Sequence, residues 1–168
     1  MTQSRRIVLA ARPTGMCDAD TVRTEVVPVP EPGDSEAVVR LNWISIDPTI
    51  RTRMDDAPGY LPPIELGAVI RSGGIGDVAA SNNDAYPVGA TVFGTFGWQD
   101  HALVGGTHGN AQIIPDGVDP TAALSVFGTT GMTAYFGSGA ILDACLGQPP
   151  RSRPTWSPGH WRTRSSAG

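Results

Sequence analysis

The chain has 168 residues, 40% hydrophobic and 17% charged, with a formal net charge of −4; this is the composition of one globular domain with at most a short tail, and it excludes a wholly disordered chain. Residues 1–137 carry 8 Arg against 15 Asp and Glu, a balance of −7, and such an acidic body repels nucleic acid and anionic membranes. The apolar run Ile7 to Ala11 is too short for a signal peptide and nothing approaches the roughly 18 apolar residues of a membrane span, so a cytoplasmic location is expected.

Twenty-one Gly and 15 Pro without a period predict many turns and a mainly β fold with short helices. Strand-like runs follow one another in chain order. Ile7 to Ala10 precedes the turn Arg12-Pro13-Thr14-Gly15, and Glu25 to Val29 precedes Pro30-Glu31-Pro32-Gly33. Glu36 to Ile46 alternates, with Val38, Arg40 and Asn42 on one face and Val39, Leu41 and Trp43 on the other. Ile64 to Val69 and Gly76 to Ala80 read as two further strands, and Gly73-Gly74 as a tight turn or bulge between them. Ala90 to Phe93 and Asp100 to Val104 read as a hairpin-like pair, and Gln112 to Ile114 closes the series. At Asp119-Pro120 the pattern changes to an N-cap with proline in the first helical position, which starts a short helix. Thr133 to Phe136 is read as the start of a second helix, and Ser138 to Gly147 is compatible with one. Gln148 to Gly168 has no aliphatic side chain to offset the roughly 1–2 kcal/mol per residue of backbone ordering, and is expected to be disordered.

The chemistry-bearing residues are sparse. Cys17 and Cys145 stand alone, which points to a reducing compartment, and His101, His108 and His160 form no metal-ligand spacing. No metal is expected. Ser125 lacks the glycine two positions before it that a nucleophile elbow needs. Gly73-Gly74-Ile75-Gly76 lacks the strand-to-helix setting of a dinucleotide fingerprint.

Five stretches, taken in order, resemble one family. Trp43 to Arg51 is similar to its Ser-x-Asp-Pro-Tyr-Met-Arg segment. Leu66 to Gly73 is similar to the strand that follows, without the histidine of zinc-dependent relatives. Tyr86 to Val92 resembles a proline-glycine turn and strand, Trp98 to Ala102 a Trp-x-x-Tyr-Ala segment, and Gly131 to Gly137 a Gly-Met-Thr-Ala-Tyr-Phe-Gly segment. The family is the zinc-free medium-chain dehydrogenases/reductases, in the leukotriene/prostaglandin reductase and alkenal double-bond reductase branch.

The resemblance implies a GroES-like, partly open β-barrel catalytic domain at residues 1–137, including the start of an interdomain helix. It implies reduction of the C=C bond of small-molecule enals, enones or quinones with NADPH as hydride donor. Met132 and Thr133 correspond to residues that approach the nicotinamide, helix packing being their other reading. Thr49, Arg51, Trp98 and His101 are the substrate-cleft candidates. Thr49 and His101 stand where the family has tyrosines, and Arg51 is either an ion-pair partner for an acid such as Asp47 or a ligand contact.

After Gly137 the family continues into a nucleotide-binding Rossmann domain. Residues 138–168 instead carry 4 Arg against one acid, a balance of +3. Trp156 and Trp161 interleave with these arginines as in a nucleic-acid arm, but a sequence read out of frame accounts for the switch better. The expectation is therefore an aberrant tail on a truncated or frameshifted member, inactive by itself unless another chain supplies the Rossmann domain. The alternatives are a stand-alone GroES-like binding module without catalysis, or a fragment of a quinone oxidoreductase.

Overall fold

The computed structural model describes residues 2–57, 59 and 61–145. The expected disorder of Gln148 to Gly168 and the basic arm with Trp156 and Trp161 lie outside the described residues.

Among the described residues seven strands, two helices and one 3-10 turn follow in order. They are β1 Gln3–Leu9, β2 Val22–Pro28, β3 Glu36–Ile44, α1 Pro48–Arg53, β4 Gly73–Ser81, β5 Thr91–Thr95, β6 His101–Gly105, β7 Gln112–Ile113, the 3-10 turn Pro120–Ala123, and α2 Thr129–Cys145. β1 and β2 form an antiparallel ribbon, and the other strands form one sheet in the order β6-β3-β4-β5-β7. This is the mainly β, incompletely closed architecture expected from the sequence.

β3 is central, and its first residues Ala37, Val38 and Val39 are buried whichever way they point. The alternation read from the sequence fails there. The register slips against β4 between Val38 and Val39, and again between Leu41 and Trp43. A bulge adds a residue and turns the faces that follow, so Trp43 ends 42% exposed instead of sharing a buried face with Val39. The glycines opposite are strand residues, not a turn. A Cβ on Gly76 would lie 2.3 Å from Arg40 O, so close strand approach requires glycine there.

Two further readings are corrected. β5 and β6 do not pair with each other: β5 lies between β4 and β7, and β6 pairs with β3. Gly97, at φ 81° and with a Cβ position 2.9 Å from Ile70 O, turns the chain away from β5. Trp98 N then bonds Ile70 O and Ile7 N bonds Trp98 O. Ile64 to Val69 is not a strand; a single bridge, Val8 to Val69, survives of it. A turn closed by Ala68 N to Glu65 O, with Gly67 at φ 81°, interrupts the segment, and the chain is held by bonds such as Leu9 N to Ala68 O.

Two apolar clusters result. One, including Val39, Val78, Val92, Phe96 and Val104, fills the five-stranded sheet. The other, Leu9, Ile50, Met54, Ile64 and Ile70, seats α1 against β1. Burying Ile50 at 4% exposure is worth about 1.5–3 kcal/mol, which is what anchors a six-residue helix too short to persist by itself.

Candidate functional site

The corner between β3 and α1 is built from capping chemistry. Asp47 is extended and caps α1, its carboxylate accepting from Thr49 N at 3.1 Å and from the Thr49 hydroxyl, with Pro48 in the first turn. Ser45 Oγ donates to the other Asp47 oxygen at 3.4 Å, and Trp98 Nε1 donates to Ser45 O at 3.1 Å. Trp98 and Thr49 are therefore linked through Ser45 and Asp47. The Thr49 side chain is exposed at the corner, but its proton is committed to Asp47.

Arg51 faces elsewhere. Its guanidinium pairs with Asp55 at 2.6 Å and donates to Gly15 O at 2.9 Å and Pro13 O at 3.3 Å. Of the two readings left open for it, the ion pair holds, but with Asp55 one helical turn on and not with Asp47. Arg12 answers from the other side, donating to Met54 O at 2.8 Å and Ile64 O at 2.6 Å. The pair clamps the loop after β1 to α1 and the chain beyond it. His101 lies on β6, with Nδ1 3.2 Å from the hydroxyl of buried Ser4. The four cleft candidates are thus split: Trp98 and Thr49 share the corner, while Arg51 and His101 hold neighbouring segments together.

Met132 and Thr133 lie on α2, Met132 being 38% exposed and Thr133 donating its hydroxyl to Thr129 O at 2.8 Å. Tyr135 and Phe136 beside them are exposed and meet edge to face at 5.2 Å. This surface is apolar enough for a nicotinamide ring. A diphosphate needs cations or a ring of backbone amides, and α2 contains no Lys or Arg. Among the described residues no strand passes through a glycine-rich turn directly into an α-helix. α2 therefore offers an apolar face to one end of a dinucleotide and no cation to its phosphates. Among them no group of three or more His, Cys, Asp or Glu is placed to hold a metal ion, and no helix is long and apolar enough to cross a membrane.

Sequence reasoning passed over Ser45 and Arg12. Asp47-Pro48 carried a helix-start signal like that of Asp119-Pro120, whereas the contacts of Arg12, up to 52 residues away, have no local signature.

An open β-structure whose third strand runs through an Asp-Pro cap into a short helix fits the N-terminal part of one oxidoreductase family. Residues 5–112 match the pattern of an N-terminal domain of oxidoreductases, and the chain belongs to the zinc-free medium-chain dehydrogenase/reductase family. The chain is 37% identical over 147 residues to the NADPH-dependent curcumin reductase of Escherichia coli, covering 88% of this chain and 41% of that one. It is 31% identical over 110 residues to the NADP-dependent 2-alkenal reductase of Nicotiana tabacum, covering 65% of this chain and 32% of that one. The crystal structure of CurA from Vibrio vulnificus in complex with NADPH superposes with a TM-score of 0.72 at 36% identity, covering 79% of this chain and 39% of that one. The chain thus spans about two fifths of the length of the first of these relatives.

Proposed function

We propose that this chain is the catalytic-domain part of an NADPH-dependent reductase acting on the C=C bond of enals and enones. The observation that supports it most is the likeness to the NADPH-bound CurA, at 36% identity over 79% of the chain, closer than a shared fold alone. Hydride addition to the β-carbon leaves negative charge on the substrate carbonyl oxygen, which a nearby donor stabilises. Thr49 is a poor donor for that oxygen, because its hydroxyl proton already serves Asp47. In this reading Thr49 and Trp98 shape the cleft, the Arg12–Arg51 clamp fixes α1, and Met132 with Thr133 meets the nicotinamide. The domain comprises residues 1–137, and the protein works in the cytoplasm, where an exposed thiol such as Cys17 stays reduced.

In this reading the 168-residue chain by itself does not turn over, because among its described residues no glycine-rich turn opens an α-helix to take the cofactor's phosphates. In the curated relatives the matched part and the remainder lie in one chain, so the separate chain expected to bring the nucleotide-binding domain has no support from them. The test joins residues 1–137 to all of the Escherichia coli relative that follows its counterpart of Gly137, and follows NADPH oxidation with 2-nonenal and with menadione. Reduction of the enal above the quinone is expected. A chimera that binds NADPH and melts cooperatively, yet leaves 2-nonenal unreduced, overturns the reading.

A further inference from the structure

β1 and β3 are both fastened to Asp100 and then part. Asp100 N donates to Arg5 O and Leu41 N donates to Asp100 O, each at 2.8 Å. Beyond this hinge β1 stays with the chain at Trp98, through Ile7 N to Trp98 O at 2.8 Å, while β3 rises away through Trp43 and Ile44. Trp98 closes the far end by its bond to Ser45 O. Between the two strands opens a wedge of about 340 Å³.

We propose that this wedge binds a neutral, planar aromatic molecule of one or two fused rings carrying an O–H or N–H donor. Size sets the first limit. The volume lies at the lower end of the roughly 300–1,000 Å³ of small-molecule sites, enough for a bicyclic ring system and too little for a dinucleotide. The walls set the shape: Ile7, Leu41 and Ile44 with the indoles of Trp43 and Trp98 present flat apolar surface. Charge sets the third limit. Arg5 at the hinge is held by Asp100 through Nε at 3.0 Å, Nη2 at 3.3 Å and its backbone N at 2.9 Å. The two charges offset one another, so neither an anion nor a cation meets an unopposed opposite charge at the hinge. The two carboxamides set the polarity. Asn42 spends its nitrogen on Asp77 at 2.8 Å, and Gln99 spends its nitrogen on Phe96 O at 2.7 Å. Each keeps a carbonyl oxygen with no hydrogen-bond partner among the described residues, so these two side chains offer acceptors to a ligand that donates.

Titration of the 168-residue chain with indole, followed by calorimetry and saturation-transfer NMR, tests this. Saturable binding with a dissociation constant below about 1 mM is expected. 1-Methylindole, which lacks the donor, should bind about 3–10-fold more weakly, and indole-3-acetate and tryptamine should both bind more weakly than indole. Trp43→Ala, at an exposed position, should weaken indole about tenfold. Thr24→Trp, at an exposed position on the wedge, should fill it and abolish binding while leaving the thermal melt unchanged. Absence of saturable binding up to about 1 mM, or equal binding of the charged probes, overturns the proposal. So does undiminished binding in both variants, which would put the probe elsewhere, such as the apolar face of α2.

Discussion

Arg51 and Gly15 are joined by two bonds to one carbonyl, Nε at 3.1 Å and Nη2 at 2.9 Å, across 36 residues of sequence. Together with Arg12 this makes a reciprocal clamp: each arginine reaches out of its own segment to satisfy carbonyls of the other. The loop between β1 and β2 is therefore part of the support of α1, and the position of Thr49 depends on residues far from it in the chain.

Arg12→Ala should destabilise the protein by about 1–3 kcal/mol, because it strips partners from two carbonyls, Met54 O and Ile64 O. Arg51→Ala should cost less. The carbonyls it leaves belong to exposed Gly15 and half-buried Pro13, which water can reach, whereas Met54 and Ile64 are each 3% exposed. Urea denaturation of the two variants checks the order, and a smaller loss for Arg12→Ala than for Arg51→Ala would remove the clamp from the account.

Asp47→Ala should cost about 1 kcal/mol, the ordinary worth of an N-cap carboxylate. Asp119→Ala should cost less, since the 3-10 turn it caps has no buried residue to hold in place. Thermal melts of the two variants provide the comparison. Asp47→Asn keeps the acceptor oxygen and should recover most of the loss.

Both caps read Asp-Pro-Thr, and in both the carboxylate accepts from the Thr backbone and hydroxyl. The second was legible in the sequence because apolar residues follow it. The first carried the same cap signal, but the helix after it had no apolar period to mark it, because Thr49, Arg51, Thr52 and Arg53 are polar and α1 is fixed by Ile50 and Met54 packing on β1. Strand existence was largely legible from turn chemistry, and strand partnership was not. β5 and β6, five residues apart around Gly97, look like a hairpin, but the intervening chain crosses to β1. Of the candidate site, Trp98 and Thr49 were named by resemblance to the family pattern, and their link through Ser45 and Asp47 is a matter of the fold. The separation of Arg51 and His101 followed from pairings with Gly15 and Ser4, which no local pattern announces.

Acid should loosen the hinge of the wedge. The Arg5 side chain, bonded to Asp100, holds the Asp100 carboxyl below the usual carboxylate range. A depressed folded value means that the pair's contribution is complete above the unfolded value of about 3.9, and is lost as pH falls through the folded one. The pair is largely exposed, so the effect on stability is small and screened by salt. NMR titration of Asp100 should give a midpoint below about 3.9, and Arg5→Ala should bring it up. An unchanged midpoint in the variant would mean that the guanidinium does not hold the carboxylate.

The last prediction concerns association through α2. Met132, Tyr135 and Phe136 stand at i, i+3 and i+4 on α2 and so share one face of the helix. Tyr135 is 65% exposed, Phe136 43% and Met132 38%, and Val126 in the preceding turn is 69% exposed. Residues this large and this close form one patch, and patches beyond a few hundred Å² drive association in water. The 168-residue chain should therefore show concentration-dependent association by size-exclusion chromatography with light scattering. Tyr135→Ser with Phe136→Ser should shift it toward monomer without lowering the melting temperature, because neither side chain is part of the two buried clusters. A wild-type chain that stays monomeric at high concentration would show that the face is covered in solution, and the same double substitution should then lower the melting temperature instead.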